Sequence, residues 1–248
     1  MRDDMNLPAQ PEPISRPDAG LGTNIIQFPA RMPYRPDTRY GSSKPDAWDA
    51  VATLITTVAD GHDARAPLHR PSTLAAMGAL AGFAAQQTLL LGGGSGWLQP
   101  NRATHLDRLL LSDNPTDASL WHGLRDTAHA LGVRHLPDPG KLLAATLRCV
   151  GTTQLGVITL PLAHRLNEQP QTSLTRHWAR VRTGFDLAGL KPPAWPPLTA
   201  AACVRRVIMD QRQVPPHVAV RIVLQSAIAM ALIEPRLIPG AAVKPDAS

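Results

Sequence analysis

The sequence predicts a mainly α-helical, bundle-like single domain around one buried helix near its C-terminus, with at most one small β element. Residues 216–233 are apolar apart from His217, Arg221, Gln225 and Ser226, so a helix there must be buried on most sides. Aromatic residues make up only 4% of the 248 residues. Core volume therefore comes from Leu, Ala, Val and Ile, and a core rich in Ala favours close helix packing.

The chain is basic, with a net charge of +6 and a pI of about 10.0. This balance permits binding to nucleic acid or to acidic surfaces, although a GC-rich bacterial genome would also enrich Arg, Ala and Pro. Cys149 and Cys203 lie in apolar helical patterns, which predicts free thiols and no disulfide. The N-terminus lacks the apolar run of a secretory or transit signal, so a cytoplasmic protein is expected.

Residues 1–43 are predicted to be a disordered tail, because they hold seven prolines and no periodic apolar face. The helical domain is expected over 44–238, followed by a frayed C-terminus at 239–248. One apolar island in the tail contains Ile25, Ile26 and Phe28. It either packs across its own domain or serves as a docking peptide for a partner by strand addition.

Two helices are predicted before residue 92, over 44–60 and 71–91. The second contains no charged residue, but Gln86, Gln87 and the glycines that follow leave too short an apolar run for a membrane span. Its Gly78-x-x-x-Gly82 pattern would let another helix approach closely, and the apolar helix at 216–233 is the proposed partner.

The middle of the chain mixes clear and ambiguous signals. Asp117 or Ser119 is expected to open a helix through Leu131, and Asp138-Pro139 is expected to begin another that ends before residue 151. Residues 105–111 fit a strand or a short helix. Residues 155–160 are the best strand candidate, with no partner strand in view.

The last third of the chain predicts two more helices before the buried one. The first begins with Ser173 as its N-cap and reaches about Ala188, with one apolar stripe. A rigid proline-rich connector is expected at 191–197, and the next helix at 199–212.

No complete catalytic motif is present in the sequence. The Gly-rich loop at 92–96 lacks the residues of a phosphate-binding loop, a dinucleotide fingerprint or a nucleophile elbow. Apolar surroundings make both cysteines inert, and paired catalytic carboxylates are not evident. No cofactor is therefore predicted.

Three sets of polar residues remain as candidate sites. A metal site is suggested by the spacing of His122, Asp126 and His129, although the alternative is a solvated helix face. A ligand pocket is suggested by the stripe of His217, Arg221 and Gln225, although it too can simply face solvent. Phosphate contacts are suggested by two pairs of arginines: Arg176, Arg180, Arg205 and Arg206.

The last two helices have the order of a helix-turn-helix. The second would expose only a narrow polar face, so a buried helical hairpin is the preferred interpretation.

The leading functional hypothesis is an interaction or regulatory protein without enzymatic activity. Its expected partner is another protein or a second copy of itself, and no membrane is expected. The alternatives are a ligand- or metal-binding protein or enzyme with a site near the Gly-rich loop, and a nucleic-acid-binding protein. The last demands affinity that falls steeply with salt.

Overall fold

The described part of the chain is helical, as predicted. The computed structural model describes residues 45–60, 69–91 and 102–242, and no strand occurs in these ranges. In chain order, the helices of these ranges are α1 (Pro45–Asp60), α2 (Arg70–Leu91), α3 (Arg102–Leu110), α4 (Leu120–Ala130), α5 (Pro139–Leu147), α6 (Pro170–Leu187), α7 (Trp195–Asp210) and α8 (Pro216–Ala231). Short 3₁₀ turns lie at Pro115–Asp117, Leu162–His164, Pro192–Ala194 and Pro235–Leu237.

Helix α2 shares the centre of the fold with α8. Every residue from 71 to 88 is buried, and the helix packs against α1, α3, α6, α7 and, most extensively, α8. The sequence placed α8 alone at the centre. Helix α8 is indeed mostly buried, but α2 is the more completely enclosed of the two, because its alanines and glycines let neighbours approach from every side.

The predicted close approach between the glycine pair and α8 is confirmed. A Cβ on Gly78 would overlap the Val223 carbonyl oxygen and lie 2.9 Å from the Val223 Cα. A Cβ on Gly82 would overlap the Ala227 carbonyl oxygen and lie 2.7 Å from the Ala227 Cα. Only glycine permits backbone-to-backbone contact this close.

Three consecutive polar residues end the buried part of α2, and each bonds the backbone of another segment. Gln86 Nε2 donates to the carbonyl oxygens of Ala231 at 2.9 Å and Ile233 at 2.7 Å. Gln87 accepts a hydrogen bond from the backbone N–H of Ala242 at 2.6 Å. The Thr88 hydroxyl donates to the carbonyl oxygen of Pro192 at 2.7 Å. Gln86 thus satisfies carbonyls that the end of α8 leaves open.

By length and composition α2 is apolar enough to cross a membrane, the one described helix of which this is true. However, 83% of its most apolar window is buried inside the fold. A helix that is apolar on all sides is also what the core of a large domain requires.

Four aromatic rings from α2, α6 and the start of α7 form one cluster in the core. Trp178 meets Phe83 edge-on at a centroid distance of 4.8 Å, and Phe185 stacks on Trp195 at 4.9 Å. The Arg182 guanidinium covers the outer side of Trp195 at 5.0 Å. Four of the ten aromatic residues of the chain therefore lie where α2, α6 and α7 meet.

Several predicted helix boundaries are confirmed. Ser119 is the N-cap of α4, accepting from the His122 N–H at 3.1 Å, and Asp138 caps α5 in the same way through the Lys141 N–H. Helices α1 and α2 lie within a residue of their predicted bounds. The ambiguous stretch at 105–111 is helical, since most of it belongs to α3.

Two boundaries near α6 and α7 were predicted wrongly. Ser173 lies inside α6 and its hydroxyl donates to Glu168 at 2.9 Å, because α6 begins three residues earlier at Pro170. The connector at 191–197 is largely helical, with a 3₁₀ turn followed by the start of α7 at Trp195. A proline is tolerated in the first turn of a helix, because the N–H that it lacks would have no partner within the helix there. A proline-rich segment can therefore begin a helix as readily as it separates two helices.

The strand predicted at 155–160 is absent, and residues 239–242, the described start of the predicted frayed end, include contacts with the domain. Residues 155–160 form turns and extended backbone, with Gly156 packed against Met230 and Ile158 buried. An apolar run alone does not distinguish a strand from a loop that covers the core. Fraying was expected from residue 239, but Gly240 packs on Ala179 and Ala242 is bonded to α2.

Replacing Gly82 by Ala should lower the free energy of unfolding by about 3 kcal/mol, because the new methyl group meets α8 backbone that cannot rotate away. The matched control is Gly184→Ala in α6. Its methyl group would overlap only the mobile end of the Leu54 side chain, and the gain in helix propensity of up to about 1 kcal/mol offsets the contact. Urea unfolding of both variants measures the difference. Equal stabilities would contradict the backbone contact.

Candidate functional site

The polar stripe predicted on α8 reaches the surface. His217 and Arg221 are exposed, and Gln225 is half-buried. The Oε1 atom of Gln225 is buried and has no hydrogen-bond partner among the described residues. The stripe lies on an otherwise buried helix, so the fold holds these side chains in fixed positions.

The end of α7 and the turn at 211–215, which precede α8 in the chain, carry further exposed residues. Arg205 and Met209 are exposed on the last two turns of α7, and Arg212 is exposed in the turn itself. Met209 is 53% exposed to solvent. We call the exposed residues on both sides of the turn the basic corner: Arg205, Met209, Arg212, His217 and Arg221.

No carboxylate neutralises the basic corner from within its own helices. Asp210 is the only acidic residue between 195 and 233, and it is buried at 1% exposure. Its two oxygens pair with Arg206 at 2.6 Å and with Arg70 of α2 at 3.2 Å. The basic corner therefore keeps three positive guanidinium groups at the surface.

Burial corrects one predicted phosphate contact, because Arg206 is 1% exposed and lies in this internal ion pair. It cannot reach a partner outside the protein. Arg205, its neighbour, points to solvent. Adjacent residues on a helix differ by about 100°, so one faces the core and the other does not.

The arginines predicted on α6 lie on a different element. Arg176 and Arg180 are both exposed on its polar face. Arg176 pairs with Glu168 at 2.8 Å, so part of its charge is already compensated. These two residues are not part of the basic corner.

The predicted metal ligands on α4 are held in a local network. Arg125 can only donate, so the Nδ1 atom of His122 accepts from its Nη2 at 3.0 Å. The Nε2 atom of His122 lies 3.2 Å from Asp126, and His129 is exposed one further turn along. The structure does not bring the three together. Among the residues it describes, no three His, Cys, Asp or Glu side chains are grouped to hold a metal.

A small apolar depression, with space for about one water molecule, lies between α3, α5 and α8. It is lined by Leu106, Leu110, Leu143 and Ile228, with Asp107 at its rim. Burial raises the pKa of Asp107 above its ordinary value. No second titratable group lines the depression. Its walls are therefore apolar apart from the Asp107 carboxyl group.

Both cysteines are free thiols. Cys203 is fully buried, and burial raises the pKa of its thiol far above the ordinary value. The apolar surroundings of Cys203 in the sequence predicted this raised pKa, which keeps the thiol protonated and unreactive. Cys149 is half-buried, and its thiol faces the Ala145 carbonyl oxygen at 3.6 Å.

Three predicted features lie outside the described residues. They are the disordered tail at 1–43, its apolar island with Ile25, Ile26 and Phe28, and the Gly-rich loop at 92–96. Comparison of the chain with protein-family models, curated proteins and solved structures finds no match.

Sequence reasoning divided the basic corner into separate parts and missed Arg212. It assigned Arg205 to a phosphate-binding pair and Arg221 to a ligand pocket. The signal that unites them is visible in the sequence, since four arginines and a single carboxylate occur between residues 195 and 233. The sequence does not reveal that this carboxylate, Asp210, is already paired with Arg206 and Arg70.

The internal ion pair has an exposed counterpart of the same chemistry and spacing, which allows a matched test. Asp210→Asn leaves the Arg206 guanidinium buried without its carboxylate, so the free energy of unfolding should fall by about 3–5 kcal/mol. Asp186→Asn breaks the exposed Arg182–Asp186 pair on α6, and the expected loss is about 0.5 kcal/mol. Chemical denaturation of both variants gives the comparison. A similar small loss in both would contradict the structural importance of Asp210.

Proposed function

We propose that this chain is an interaction protein that binds an anionic macromolecule through the basic corner. The observation that carries the proposal is the set of three exposed arginines on the last turns of α7, the α7–α8 turn and the first turns of α8. None of the three has an ion-pair partner among the described residues. No carboxylate on α7, the turn or α8 is free to compensate their charge, because Asp210 is buried and already paired.

The fold keeps this charge in one place. Helices α7 and α8 are both anchored on α2, so the backbone that carries the arginines is fixed by the core. A fixed array loses little conformational entropy when it binds, apart from the side chains themselves. The overall charge of +6 adds long-range attraction for an anionic partner.

The test uses heparin, a sulfated polyanion, as the probe. The triple variant Arg205→Gln, Arg212→Gln, Arg221→Gln should elute from immobilised heparin at a clearly lower salt concentration than the unaltered chain. A control variant removes the same charge from three exposed arginines on other segments: Arg134, Arg148 and Arg165.

The control variant isolates position from net charge. If it elutes together with the corner variant, attraction depends on total charge alone and the corner is not a binding surface. Failure of the unaltered chain to bind heparin at low salt would also contradict the proposal. Near-equal thermal unfolding of all three proteins establishes that the exposed substitutions leave the fold intact.

A second candidate function, self-association, is favoured by an exposed apolar patch. Leu147, Val150 and Val157 lie within eleven residues of the sequence and are 50%, 45% and 44% exposed, and we call them the apolar patch. Leu143, one turn before Leu147 on α5, lines the apolar depression between α3, α5 and α8. Clustered apolar residues mark interaction surfaces more often than single exposed ones do.

Sedimentation velocity over a range of concentrations tests self-association. The chain should form dimers at high concentration, and Leu147→Ser with Val150→Ser should weaken them at least tenfold. Leu162→Ser with Leu187→Ser is the control, since these leucines are even more exposed but lie on other segments. A monomer at every concentration, or an equal effect of the control, would reject the patch as the dimer surface.

A further inference from the structure

We infer that the anionic partner of the basic corner is duplex nucleic acid, held by its phosphate backbone and not read by its bases. This inference rests on the proposed function and names the class of partner. Its grounds are the spread of the arginines, the kind of cation they carry, and what the neighbouring surface lacks.

The spread of the arginines requires a long, evenly charged partner. Arg205 and Arg212 are seven residues apart, which corresponds to about 10 Å along a helix. Arg221 lies on the far side of the turn, in the second turn of α8. A duplex carries a negative charge for about every 1.7 Å of its axis, so it presents phosphates to each arginine.

The cations of the basic corner are guanidinium groups, with no lysine between residues 195 and 233. A guanidinium offers planar, paired donors that match two oxygens of one phosphate, whereas an ammonium acts as a point charge. The half-buried Gln225 follows Arg221 by one turn along the same stripe of α8 and adds an amide donor that reaches a backbone oxygen.

Among the residues whose side chains the structure describes, none offers the exposed aromatic ring that single-stranded nucleic acid requires. Single strands bind by stacking bases on exposed aromatic rings. Every aromatic ring whose side chain the structure describes is buried: Phe83, Trp121, Trp178, Phe185 and Trp195. A duplex keeps its bases stacked internally and needs no such rings.

The burial of α8 excludes the base-reading mode of a helix-turn-helix. A recognition helix must enter the major groove with a broad polar face. Helix α8 buries twelve of its sixteen residues against the core and presents only the stripe that begins at His217. The exposed side chains can reach phosphates along the rim of a groove, so binding is independent of sequence.

An acidic protein is the competing partner, and the corner fits it less well. A protein interface needs a desolvated apolar centre that excludes water from the charged rim. The only large apolar side chain exposed in the corner is Met209. The other exposed residues are charged or polar and remain hydrated, which suits the wet, polar interface of a nucleic-acid complex.

The experiment is fluorescence anisotropy with the full chain and a labelled 30-base-pair duplex of mixed sequence, in NaCl from 50 to 200 mM. Three phosphate contacts predict a slope of about −2.7 in log K against log[salt], which is about a 40-fold loss of affinity over this range. A second duplex of different sequence should bind within twofold.

Two triple variants separate the basic corner from general charge. Replacing Arg205, Arg212 and Arg221 by Gln should reduce the magnitude of the slope by about 2.7, because each lost phosphate contact removes about 0.9. The heparin control, with Gln at positions 134, 148 and 165, should keep the slope of the unaltered chain. Replacing the three corner arginines by Lys should also keep it, since the charges remain.

Each outcome decides one part of the argument. Heparin binding through the corner, combined with displacement of the duplex by polyglutamate as effectively as by unlabelled duplex, would overturn the nucleic-acid inference and leave the proposed function standing. Tighter binding of single strands than of duplex would overturn it as well. An equal loss of slope in the control variant, or no binding of either polyanion, would remove both.

Discussion

The close contact between α2 and α8 is the constraint on which the rest of the structure depends. At Gly78 and Gly82 the two backbones meet without an intervening side chain, and dispersion contacts along this line replace those that large side chains supply elsewhere. The other helices pack around this pair. Because α7 is also anchored on α2, the contact fixes the turn between α7 and α8, and with it the surface where the arginines lie.

A core this rich in alanine and glycine leaves few places for polar groups, and α2 uses them to join distant segments. Successive residues on a helix point in directions about 100° apart, so Gln86, Gln87 and Thr88 reach three different parts of the chain. Gln86 bonds main chain at the end of α8, Gln87 bonds Ala242 near the end of the described chain, and Thr88 bonds Pro192, the first residue of a 3₁₀ turn. Helix α2 therefore packs through apolar residues along its length, and near its C-terminal end its polar side chains form hydrogen bonds with backbone groups of neighbouring segments.

How much the sequence predicts depends on the range of the interaction. The apolar stripe of α6 and the caps at Ser119 and Asp138 are local and were predicted correctly. The glycine pair was matched to α8 because α8 carries small residues near its end: Ala227, Ala229 and Ala231. The partners of Asp210 were not predicted, since Arg70 lies far away in the sequence. The basic corner was predicted only in parts, because grouping its arginines requires knowing that their nearest carboxylate is occupied.

The order in which the chain is synthesised gives the α2–α8 contact a temporal consequence. Gln86 bonds Ala231, which is 145 residues later in the chain. At a synthesis rate of roughly 5–20 residues per second, the ribosome needs about 7–30 s to make the chain between these two residues. During that interval the face of α2 that carries Gly78 and Gly82 lacks its partner, although α1, α3, α6 and α7 are made before α8. We therefore expect the nascent chain to depend on chaperones until α8 emerges, and translation rate to influence the yield of folded protein.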